Sequence, residues 1–63
     1  MCESKVILKS DGREEVVMED VVLLNIEGEK LLFRNVTGEE KVIVDAVIDA
    51  IDFVNHTVYL KPK

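Results

Sequence analysis

Short apolar stretches alternate with charged or glycine-containing breaks along the chain. The first stretch, Lys5 to Lys9, is followed by Ser10-Asp11-Gly12. An Asp-Gly pair between two apolar stretches is typical of a β-hairpin, because glycine tolerates a positive φ. We therefore expect an antiparallel hairpin whose strands cover about Lys5 to Lys9 and Arg13 to Met18.

The same pattern continues through the middle of the sequence. Glu19-Asp20 interrupts the apolar residues, and two further stretches follow at Val21 to Ile26 and Lys30 to Val36. The pair is separated by Glu27-Gly28-Glu29, and a later break again contains glycine, at Thr37-Gly38-Glu39. Glycine between apolar stretches indicates a turn, so each stretch is interpreted as a separate strand. In the last of these strands, Leu31 and Phe33 are expected to share one face.

The stretch from Lys41 to Val54 fits two periodicities. A helix would group Val44, Val47, Ile48 and Ile51, whereas a strand would group Val42, Val44, Ala46, Ile48 and Ala50. Seven of its fourteen residues are Val or Ile, which favour strands. No capping residue immediately precedes the stretch and no glycine closes it. We favour a long, bent strand over a helix.

The final segment predicts one more hairpin. Asn55-His56 lies between Ile51–Val54 and Thr57–Leu60, which suggests a tight two-residue turn with Asn at positive φ, and Pro62 ends the last strand. About six short strands with frequent turns predict an all-β fold, a small antiparallel β-barrel of the SH3-like or Sm-like kind. We expect one domain covering residues 1–63.

The composition indicates that this domain associates with a second chain. A domain of 63 residues has a thin stability margin, and its single cysteine cannot form an internal disulfide. Hydrophobic residues make up 48% of the chain, more than so small a monomer can bury, so we expect a homodimer. The sequence shows no secretory signal and no membrane span, which predicts a cytoplasmic protein without a membrane partner.

Charge argues against nucleic acid as a partner. The net charge is −5, and the lysines are scattered among carboxylates without a basic run. Phe33, Phe53 and Tyr59 could stack on bases, but core packing is the stronger interpretation because no run of basic residues accompanies them in the sequence. We therefore do not expect RNA as a partner. The chain also lacks a phosphate-binding loop or a nucleophile triad, so we do not expect an enzyme.

Cys2 is the residue with the most distinctive chemistry. If Met1 is removed, the α-amine and thiolate of Cys2 can close a five-membered chelate ring, and the backbone amide nitrogen of Glu3 is the next donor. This donor set suits tetragonal Ni(II) or Cu(II) better than tetrahedral zinc. The alternative is a terminal thiol without a role.

Other candidate ligands are weaker. Asp45, Asp49 and Asp52 would form a cluster only on a helix, and on a strand they are more simply a solvated edge that prevents edge-to-edge association. His56 could bind a metal, but as the one histidine, placed in a turn, it is expected to be exposed and without a role.

Three segments together resemble the small CooT-type proteins. They are Met1-Cys2-Glu3-Ser4, Met18-Glu19-Asp20-Val21 and Ile51–His56, and the resemblance extends over essentially the whole chain. It implies a cytoplasmic homodimer that binds Ni(II) and is associated with maturation of nickel-containing carbon monoxide dehydrogenase. It implies Cys2 as the nickel ligand, with the Glu3 backbone amide beside it. An older family label, predicted RNA-binding protein, supplies the alternative function of a small-barrel RNA-binding protein.

Overall fold

The computed structural model describes residues 3–63, and within them the regular structure consists of six β-strands. The strands are β1 (Ser4–Ser10), β2 (Arg13–Glu27), β3 (Lys30–Asn35), β4 (Glu40–Ile43), β5 (Ala46–Asp52) and β6 (Thr57–Pro62). They form a single sheet in the order β4-β3-β2-β1-β6-β5.

The sheet curls into a half-barrel around one core. Phe33 from β3, Val6 from β1 and Leu60 from β6 have no exposed surface and belong to the same cluster. Leu31 is also buried, so the expected alternation over residues 30–36, with Leu31 and Phe33 on one face, is correct. Because distant strands of the sheet share one core, the prediction of an all-β small barrel with about six strands is confirmed.

The first hairpin forms where the sequence predicts it. β1 pairs antiparallel with β2 through a turn in which both Asp11 (φ 53°) and Gly12 (φ 78°) have positive φ. Two successive positive φ values are the geometry that matches the right-handed twist of the flanking strands. On its other side β1 pairs with β6 in parallel, with Lys5 opposite Thr57. Sequence periodicity does not predict this parallel pair, since the two strands come from opposite ends of the chain.

The second and third predicted strands are one strand. Glu19-Asp20 does not end β2 but bends it, because Asp20 has a φ of 57° and the carbonyl of Asp20 accepts a hydrogen bond from the Val36 N–H at 2.9 Å. The register shifts on both sides of this bend, which lets β2 pair first with β1 and then with β3. A single bent strand thereby belongs to both halves of the sheet.

The long stretch from Lys41 to Val54 is neither one bent strand nor a helix. It breaks at Val44-Asp45, where Asp45 has a φ of 60°, into β4 and β5. These two strands lie at opposite ends of the sheet order. The carbonyl of Asp45 accepts the Lys63 N–H at 3.0 Å, and Lys63 also forms an ion pair with Glu29.

Candidate functional site

Cys2 lies outside the described residues, so its predicted role as a ligand is not tested by the structure. Glu3 is the first described residue; it is partly exposed and immediately precedes β1. The start of β1 therefore marks the end of the barrel at which the chain leads to Cys2.

The loop between β5 and β6 lies beside the start of β1. The Lys5 N–H donates a hydrogen bond to the carbonyl oxygen of His56 at 2.9 Å. Lys5 is opposite Thr57, and Val6 is opposite Val58, in the parallel pair of β1 and β6. Because parallel strands begin at the same end of a sheet, Glu3 and the loop before β6 are neighbours.

This loop is larger than the sequence predicts. Asp52 and Thr57 are paired across the hairpin, which leaves four residues, Phe53 to His56, in the turn. The positive φ predicted for Asn55 belongs to His56 instead (50°). We name residues 53–56 the apolar loop, because its first two side chains are Phe and Val.

A network centred on Asp52 fixes the apolar loop. One carboxylate oxygen, Oδ1, accepts the backbone N–H groups of Val54 and Asn55 at 3.0 Å each, and Oδ2 accepts the Asn55 side-chain amide at 2.8 Å. The hydroxyl of buried Thr57 donates to the Asn55 carbonyl at 3.0 Å. Hydrogen bonds from Asn55, backbone and side chain, lower the pKa of Asp52 below its ordinary value, with smaller contributions from Val54 and the nearby His56.

The loop presents apolar surface to solvent. Phe53 is 80% exposed and Val54 is 86% exposed, the highest values among the large exposed hydrophobic residues. The prediction that Phe53 packs in the core is therefore wrong. Its apolar character gave no sign of this, because a core residue and a contact residue look alike in a sequence. The His56 side chain is exposed, as expected.

The acidic residues of β5 have separate environments. Asp49 lies 3.6 Å from the amino groups of both Lys9 and Lys61, whereas Asp52 belongs to the apolar loop network and Asp45 to the break before β5. Among the residues that the structure describes, no group of three or more His, Cys, Asp or Glu side chains is placed to hold a metal ion.

Tyr59 has a basic neighbour that sequence spacing does not reveal. Tyr59 is only partly buried and lies outside the core cluster, so the core prediction is wrong for this residue as well. The Lys9 amino group lies 5.1 Å from the centre of its ring, within cation–π range. Asp49 contacts the same lysine, so the cluster contains both charges.

A shallow apolar groove lies between the β2–β3 turn and β5. It is lined by Ile26, Leu31, Ala46, Val47 and Ile48, together with the Lys63 end of the chain. The groove is open to solvent, and the titratable residues of its lining are Glu29 and Lys63, which form an ion pair. The described part of the chain contains no helix that could cross a membrane.

Comparison with known proteins gives one consistent result. Residues 1–61 match the family model described as CO dehydrogenase accessory protein CooT. The fold is similar to the crystal structure of a candidate CooT from Carboxydothermus hydrogenoformans, with a TM-score of 0.89, 32% sequence identity and 98% of each chain covered. The comparison with curated proteins gave no significant match.

Proposed function

This chain belongs to the CooT family of CO dehydrogenase accessory proteins, and from that premise we propose that it binds Ni(II) as cargo during maturation of nickel-containing carbon monoxide dehydrogenase. The observation that carries the proposal is the family match, which spans residues 1–61 and so includes Cys2 and Glu3. An accessory role is consistent with a surface that offers loops and a shallow groove.

Cys2 and Glu3 are the proposed metal donors. The chain has one cysteine and one histidine, too few side-chain donors for a nickel site made by a single copy. Two copies related by a two-fold axis supply each donor twice. Two Cys2 thiolates and two Glu3 backbone nitrogens would make a square-planar set, which Ni(II) accepts and Zn(II) does not favour.

The position of Glu3 supports a site for transfer. Glu3 is partly exposed and precedes the first strand, so a metal bound to its backbone nitrogen would be outside the core formed around Phe33. A metal held outside the core can exchange with another protein without unfolding the barrel. We place the protein in the cytoplasm, with the dehydrogenase or its maturation factors as partners.

Substitution of Cys2 tests the proposal directly. We expect wild-type protein to develop thiolate-to-nickel charge-transfer absorption on addition of Ni(II), and Cys2→Ser to lose it while the circular dichroism spectrum stays that of a β protein. His56→Ala is the matched control, because His56 carries the one imidazole in the sequence. Calorimetry that finds nickel affinity intact in Cys2→Ser would rule out the terminal site.

A further inference from the structure

We propose that Lys41 protects a free edge of the sheet, in the first half of β2, against the addition of a further β-strand. We name residues 13–19 of β2 the open edge, because a partner strand covers them on one side only. Lys41 acts there as a strap that occupies the place of an added strand. The inference does not depend on nickel binding, since it concerns a strand pairing that the fold prevents.

The open edge follows from the bend in β2. Before the bend, residues 13–18 pair with β1. Pairing with β3 starts only at Val21, which is opposite Asn35. Within residues 3–63, no strand therefore pairs with residues 13–19 on the side away from β1. A sheet edge of this kind presents backbone groups to which another strand can add.

A β-bulge at Val17 interrupts the ladder within the open edge. In the pairing of β1 with β2, Val6 is opposite Met18, and the next residue, Ile7, is opposite Val16. Val17 is therefore the extra residue of a bulge, and such a residue is left unpaired in the ladder. Its backbone groups need partners from elsewhere.

Lys41 supplies one such partner from another part of the sheet. Its amino group donates a hydrogen bond to the Val17 carbonyl oxygen at 2.9 Å, although the two residues are 24 positions apart. Lys41 belongs to β4 and is opposite Phe33, so its side chain reaches beyond β3 to the first half of β2. A hydrogen bond from a charged donor is stronger than a neutral one. An added strand would have to displace this ammonium group from its acceptor.

The sequence of the open edge shows why protection is needed. Residues 16–18 are Val-Val-Met, and Val16 is 48% exposed. Short apolar segments of high β-propensity on a free edge promote edge-to-edge association. Residues 14–15 and 19–20 are all acidic and flank this segment, as charged residues commonly do beside such strands. Lys41 protects the middle of the segment, which the flanking carboxylates do not cover.

Substitution of Lys41 by methionine tests the proposal, because methionine carries neither charge nor hydrogen-bond donor. We expect Lys41→Met to form large assemblies at a protein concentration roughly 5- to 10-fold lower than wild type, the usual effect of losing one hydrogen bond. Light scattering and thioflavin T fluorescence measure this concentration. The variant is one charge more negative than wild type, so the change in net charge alone would oppose association.

Lys30→Met is the matched control. Lys30 is exposed, lies opposite Glu27 at the start of β3, and its substitution changes the net charge equally. This control should assemble no more readily than wild type. Lys41→Arg keeps the charge and a donor, so it should also behave as wild type. Unchanged assembly of Lys41→Met, or assembly of either other variant as strong as that of Lys41→Met, would overturn the proposal.

NMR of the Val17 carbonyl tests the strap itself in the folded protein. Loss of a hydrogen bond moves a carbonyl carbon resonance upfield, so we expect this shift in Lys41→Met and not in Lys30→Met. Circular dichroism checks that each variant keeps a β spectrum, and Lys41→Gln replaces Lys41→Met in both experiments if the methionine variant does not fold. An identical Val17 carbonyl resonance in wild type and the Lys41 variant would contradict the strap.

Discussion

The two ends of the parallel pair formed by β1 and β6 differ in the side chains that they expose. Where both strands finish, Lys9 and Lys61 each lie 3.6 Å from Asp49, and charges of both signs face solvent. Where both strands begin, the loop exposes Phe53 and Val54 instead. Strand ends in this sheet can be solvated by charged side chains, so the apolar loop is not a requirement of the fold. Two adjacent, exposed apolar side chains therefore distinguish the end at which both strands begin.

The largest expected effect is the difference in stability between substitutions of the two phenylalanines, buried Phe33 and exposed Phe53. Phe33 is fully buried, so Phe33→Ala should lower the free energy of unfolding by about 3–5 kcal/mol, comparable with the whole stability of a small domain. Phe53→Ala should change it by less than about 0.5 kcal/mol, because its side chain is 80% exposed. Urea denaturation under dilute, monomeric conditions measures both. Similar losses in the two variants would break the distinction.

Removal of the Asp52 carboxylate should increase the mobility of the apolar loop and leave the opposite end of β1 and β6 unchanged. In Asp52→Ala the N–H groups of Val54 and Asn55 lose their acceptors, so their hydrogen exchange should accelerate roughly 5- to 10-fold, the usual effect of losing one hydrogen bond. Asp49→Ala is the matched control on the same strand, since its carboxylate contacts Lys9 and Lys61 and not backbone amides. Unchanged exchange in Asp52→Ala would mean that the loop is held by other contacts.

The same network predicts an acid transition. Its hydrogen bonds hold the folded-state pKa of Asp52 below its ordinary 3.8. The stabilisation is therefore fully present above pH 3.8 and is lost as the pH falls through the lower folded-state value. An NMR titration of the Asn55 amide should show its midpoint below that of an unstructured Asp, and Asp52→Asn should remove the transition. A midpoint above the ordinary value would contradict the network.

The smallest expected effect concerns RNA. We expect no tight binding of RNA at the charged end, where Lys9, Lys61 and Asp49 lie. Tyr59 has Lys9 over its ring, but Asp49 contacts the same lysine, and the chain has a net charge of −5. Fluorescence titration with single-stranded RNA should give a dissociation constant weaker than about 1 µM at physiological salt, as for non-specific binders. Salt-sensitive binding tighter than this would contradict the prediction and would identify the charged end as a functional surface.

The sequence predicts the strands better than it predicts their connections. Alternation identified the buried face of β3, and Asp11-Gly12 identified the first hairpin, because both signals are local. The sequence did not show that β2 continues through Asp20 or that a strand ends before Asp45. Both residues have positive φ in the structure, and a non-glycine residue at positive φ can either bend a strand or end it. The parallel pairing of β1 and β6 joins residues far apart in the chain, so no local sequence pattern predicts it.

Part of the candidate site could likewise be predicted from the sequence, and part could not. The donors Cys2 and Glu3 could be proposed from their chemistry and from the resemblance, since adjacent donors at a chain end are visible in sequence. The loop beside them could not, because Lys5 and His56 are near opposite ends of the sequence and meet only in the folded sheet. The exposure of Phe53 was likewise hidden, because hydrophobicity alone does not tell a core residue from a contact residue.

Native mass spectrometry of the protein titrated with Ni(II) tests the central claim most directly. The account predicts one nickel ion per pair of chains in wild-type protein, nickel retained in His56→Ala, and no specifically bound nickel in Cys2→Ser. Nickel bound to single chains, or one nickel per pair in Cys2→Ser, would contradict a site shared through Cys2 and Glu3.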